Sequence, residues 1–134
     1  MSRAATLVSA VVLAHLAVSI VHGAAHAQLQ IALDRRDLVF VLGVIGAAPL
    51  LAMALQWSRY RRAGLMVLTV SMIGSLAFGV HHHFMAAGPD LVGHQPAGPW
   101  ASAFGLTSYL LAITEAAGVA IGLYYSRSVR SGDL

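Results

Sequence analysis

The side chains of this sequence best suited to chemistry are seven histidines and a single glutamate. His15, His22 and His26 are separated by steps of seven and four. On a helix turning about 100° per residue, these steps place all three within an arc of about 40°, and Ser19 shares that stripe. His81, His82 and His83 are consecutive. A helix fans consecutive residues apart by about 100° each, so the three cannot all face one point. Ser71 and Ser75 share a stripe with His82 by the same steps of four and seven. Glu115 stands alone in an apolar stretch, with Ser108 on one side and Gly118 and Gly122 on the other.

Neutral imidazole suits copper, iron and zinc, and a pair at i and i+4 can grip one ion. The candidate metal ligands are therefore His22, His26, His81, His82 and His83, with His94 as a loop ligand. The same groups suit a b-type haem held by one histidine from each side, His22 facing His82. With no cysteine, thiolate sites and disulfides are excluded.

The elements that must position these groups follow from hydropathy. Only 10% of the 134 residues are charged and 58% are hydrophobic, too few charges to wet the surface of a soluble domain. The apolar residues form four runs, about residues 4–33, 38–57, 64–85 and 102–125, each long enough to cross the hydrocarbon layer as a helix of roughly 20 residues. Backbone amides in lipid must be satisfied within the segment, which selects helices over open strands. The expectation is an all-α, integral membrane four-helix up-down bundle forming one transmembrane domain over residues 1–134, its immediate partner the lipid bilayer.

Arg3, the Arg59/Arg61/Arg62 cluster, Arg127 and Arg130 fall on one side of such a path, whereas Arg35 and Arg36 are flanked by Asp34 and Asp37. The excess of arginine places both termini in the cytoplasm of a bacterial-type inner or plasma membrane, with the loop from Asp90 to Trp100 outside. Trp57, Tyr60, Tyr124 and Tyr125 would form an aromatic belt on the inner side, and Trp100 would anchor the outer one. The start Met1-Ser2-Arg3, an apolar stretch and Ala25-His26-Ala27 also has the outline of a secretory signal. Its apolar stretch exceeds the roughly 7–15 residues of a signal core, which favours retention as the first span.

Depth then sorts the polar groups into two layers. At about 1.5 Å rise per residue, His15 and Glu115 both fall near the midplane, which predicts that they touch. His22, His26 and the triple histidine fall nearer the outer face. A carboxylate at the bilayer centre must find such a partner or stay protonated, because an unpaired charge there costs several kcal/mol.

The basic residues lie at helix ends rather than along a face, which argues against nucleic acid as a partner. There is no Gly-rich phosphate loop, no Ser-His-Asp order, and too few glutamates for a di-iron carboxylate bundle. The leading functional expectation is a histidine-rich intramembrane site binding a transition metal or haem, for metal handling or electron transfer. The alternatives are a metal-dependent membrane enzyme acting on a lipid-soluble substrate and an accessory subunit without cofactor. Association into a homo-oligomer or a larger membrane complex is left open.

Overall fold

The computed structural model describes residues 3–130, with side chains through Ser128. The expectations resting on Met1, Ser2, the Arg130 side chain and residues 131–134 lie outside the described residues. Four helices make up the fold: α1 (Arg3–Gln28), α2 (Arg35–Gln56), α3 (Arg61–Met85) and α4 (Pro99–Arg130). No strand occurs among the described residues, and all four helices are long and apolar enough to cross a membrane.

Local chemistry sets the helix ends. The apolar run predicts α1 through Leu33, but the helix stops at Gln28. Gln30 takes a left-handed conformation, φ 55°, and the Ile31 and Gln30 amides bond back to His26 O and Ala27 O. This reversal satisfies the last carbonyls of the helix and turns Ile31 inward, where it packs with Ala25 and Phe104. Asp34 starts α2 three residues earlier than hydropathy alone suggests, because its side chain accepts from the Arg36 and Asp37 amides at 2.7 and 2.8 Å. Pro99 opens α4, where its missing N–H costs nothing.

The helices pack in the ring α1–α4–α3–α2, so α1 and α3 stand diagonally. The two ends of the bundle differ. At one end Ala4, Val8, Val11, Val12, Ala52, Leu65, Leu68, Met72 and Tyr125 form a closed apolar core. Tyr125 is therefore a core residue, 8% exposed, and not part of the expected aromatic belt. Trp57, Tyr60 and Tyr124 do point outward.

At the other end the first half of α2 buries nothing from Arg35 to Ala47, and residues 41–47 widen into π-helical turns. A second widened turn covers His81–Met85 at the end of α3. Both π segments flank the histidine end, in keeping with the frequent placement of such turns at functional sites.

Candidate metal centre

The widened turn decides which histidine of the triple faces the interior. In a regular helix His82 would share the Ser71/Ser75 face. Each π residue advances only about 80° rather than about 100°, and this swings His83 onto that face instead. His83 is buried, at 6% exposure, and its ring meets the His22 ring with centroids 4.8 Å apart. His82 lies on Phe78, centroids 4.2 Å apart, and His81 is exposed. The expected opposition of His22 and His82 is thus replaced by His22 and His83.

His26, one turn beyond His22, completes a trio in which one ligand nitrogen of each ring lies within 4.8 Å of the others. Phe104, fully buried on α4, stacks on the His22 ring at 4.9 Å and also touches His26 and His83. His94 is exposed, and its backbone amide bonds to Leu91 O within the loop. The loop supplies Asp90 instead, whose Oδ1 lies 3.3 Å from His26 Nε2.

Hydrogen bonding assigns the protons on these rings. Thr107 Oγ1 donates to Ala103 O at 2.7 Å, so toward His22 Nδ1, 2.9 Å away, it accepts. His22 therefore carries its hydrogen on Nδ1. His26 Nδ1 lies 3.3 Å from Ile31 O and His83 Nδ1 lies 3.2 Å from Asp90 O. Carbonyls only accept, so these two rings also donate from Nδ1. In the neutral imidazoles the hydrogen then sits on Nδ1, and each Nε2 presents a lone pair.

Two of these, His22 Nε2 and His26 Nε2, face each other at 3.2 Å. Beside them is the Asp90 Oδ1, buried and without a hydrogen bond among the described residues. Acceptors gathered in this way repel one another unless a proton or a metal ion lies among them. Tetrahedral coordination with metal–nitrogen bonds of about 2.0–2.1 Å separates neighbouring nitrogens by about 3.3 Å. The Nδ1 bonds to Thr107, Ile31 and Asp90 are the kind of outer contacts that orient ligating imidazoles.

A cavity of about 400 Å³ adjoins the trio and runs down the bundle to Glu115. At its floor His15 Nε2 and Glu115 Oε1 are 3.3 Å apart, each residue 2% exposed. This is the contact predicted from matched depth. Asp90, Phe104, Thr107 and the Ile31 carbonyl were not singled out from sequence as part of the site. Only Asp90 left a trace there, in the stretch Gly88-Pro89-Asp90 that follows the triple histidine. The other three are ordinary apolar or backbone-bonding positions until the fold brings them to the rings.

Comparison with protein-family models, curated proteins and solved structures finds no match for this chain.

Proposed function

We propose that this protein is a membrane metal-binding protein that holds one divalent transition metal ion at His22, His26 and His83, with Asp90 at the edge of the site. The observation that carries this reading is the convergence of imidazole lone pairs, His22 and His26 Nε2 at 3.2 Å, beside a buried carboxylate oxygen without a hydrogen bond. Three neutral imidazoles and a carboxylate suit zinc, iron(II) or copper(II). With Asp90 at the edge rather than bound, three imidazole ligands leave one further position, the pattern of metal sites that handle a reactant rather than only brace a fold. Metal handling suits any of these ions, and electron transfer suits iron or copper, since zinc has no redox chemistry. His81, His82 and His94 take no part in this ligand set.

The geometry supports a single ion over a b-type haem. Axial ligation needs two imidazoles on opposite faces of a flat ring. The His22 and His83 rings instead touch edge to face, and Phe104 covers the other side of His22. Arginine placement supports a cytoplasmic closed end and a histidine end toward the outside. Reporter fusions after Arg62 should then read cytoplasmic.

The test is elemental analysis of the purified protein, followed by chelation and titration with zinc or copper(II). About one equivalent should be retained and rebound. His83→Ala should abolish high-affinity binding, while His82→Ala should leave it intact. Equal behaviour of the two variants would remove the site as assigned.

A further inference from the structure

The cavity below the histidines has a feature that metal binding does not use. Three serines line it. Ser19 Oγ bonds back to His15 O at 2.8 Å and Ser108 Oγ to Phe104 O at 2.8 Å, the usual way a serine hydroxyl is satisfied inside a membrane helix. Ser75 Oγ is fully buried and has no hydrogen-bond partner among the described residues. A buried hydroxyl left without a hydrogen bond costs on the order of 1–3 kcal/mol, so its position calls for an acceptor or donor in the cavity.

Glu115 supplies the complementary group. Its Oε1 is engaged by His15, while Oε2 lies over Gly79, 3.8 Å from where a Cβ on that glycine would stand. Gly79 is one turn beyond Ser75 on α3, about 6 Å along the axis. Ser75 and Glu115 both line the same cavity. The remaining wall is largely apolar: Leu38, Val41 and Ile45 of α2, Phe78 of α3, and Leu111 and Ala112 of α4.

The flank between α1 and the first half of α2 is thinly built. That half of α2 packs against α3, whereas the second half packs on both α3 and α1. On the α1 side the cavity is lined by Ser19, His22, Gly23 and His26, and a Cβ on Gly23 would meet nothing within 4 Å.

We propose that the cavity is a binding site for a small lipid-soluble alcohol or phenol entering from the bilayer between α1 and α2. Its hydroxyl accepts from Ser75 Oγ and donates to Glu115 Oε2, and its apolar body lies along Leu38, Val41 and Ile45. Water could satisfy Ser75 alone, but it would leave the apolar wall and the open Gly23 flank unused. This site stands independently of the ion, although it would bring a hydroxyl into the cavity that the proposed metal adjoins.

The test uses a diazirine-bearing octanol as photoaffinity probe on the full chain in detergent, with and without prior chelation, read by peptide mass spectrometry. Saturable labelling of residues 38–45 that octanol suppresses and octane does not is the expected result. Ser75→Ala should weaken it about threefold to tenfold, the range of one net hydrogen bond. Ala112→Leu, which fills the cavity, should abolish it. Labelling that never saturates, that octane suppresses equally, or that ignores both substitutions would overturn the proposal and leave only water in the cavity. Labelling that survives chelation while zinc titration shows no site would sink the metal reading and not this one.

Discussion

The two ends of this bundle are made from similar apolar helices, yet one is packed shut and the other is held open. At the closed end the glycines are points of contact. A Cβ on Gly118 would stand 2.8 Å from Met72 Cγ, and one on Gly122 would overlap Thr69 Oγ1. The Gly118-x-x-x-Gly122 spacing lets α4 lie directly against α3, the usual use of small residues between membrane helices. At the histidine end Gly23 and Gly43 face open space, with nothing within 4 Å of a Cβ on either. Both are exposed, and neither brings two helices together. A glycine count therefore says little about packing, because the same residue type seats α4 on α3 at one end and faces outward at Gly23 and Gly43.

The sharpest way to separate the ends is to disturb the histidine site without touching the core. Thr107→Val removes the acceptor that keeps the His22 hydrogen on Nδ1, while nearly preserving shape. Loss of an outer contact of this kind lowers metal affinity by about 10–100-fold. Zinc titration should show that loss, and thermal unfolding of the metal-free protein should change little. A large drop in metal-free stability would mean that Thr107 braces the fold rather than the ligand.

The glycines offer the next test. Gly122→Leu forces a side chain into Thr69 and should cost about 1–3 kcal/mol, the usual penalty of overpacking. Gly23→Ala meets no atom and should be neutral or slightly stabilising, since alanine is the better helix former by about 1 kcal/mol. Thermal unfolding in detergent compares the two, and equal effects would erase the distinction between the ends.

The His15–Glu115 pair lies at the boundary between the two ends. Glu115→Ala leaves a buried imidazole without its partner and should destabilise by about 1–3 kcal/mol. Glu115→Gln keeps the shape and most of the hydrogen-bonding capacity, so it should unfold near the native temperature. A Gln variant as unstable as the Ala variant would show that the pair depends on charge.

The smallest effect concerns Asp34, the exposed cap of α2. Donation from the Asp37 amide, with that of Arg36, holds its carboxyl below the ordinary value of 3.8. Its contribution is therefore complete above the ordinary value and is lost as pH falls through the lowered one. Asp34→Ala should speed hydrogen exchange at the Arg36 and Asp37 amides near neutral pH. The gap from the native protein should close in acid below the carboxylate range.

Much of this architecture was legible in the residues. Apolar runs separated by charged knots gave four membrane-crossing helices, because hydrocarbon offers backbone amides no partner outside their own segment. The spacing of His15, His22 and His26 placed them on one stripe, since helical rise and turn are fixed by backbone geometry. Matched depth paired His15 with Glu115, because polar groups in hydrocarbon gain most from one another.

Tertiary structure alone decided the rest. His83 replaced His82 because a π turn changes the register locally, and nothing in His81-His82-His83 announces where the extra residue is absorbed. The reversal at Gln30 ended α1 short of Leu33 and delivered the Ile31 carbonyl to His26. Asp90, Phe104 and Thr107 joined the rings only through the return of the loop and the packing of α4. Their separation along the chain carries no periodic signal, so no count of residues could have brought them to the same point in space.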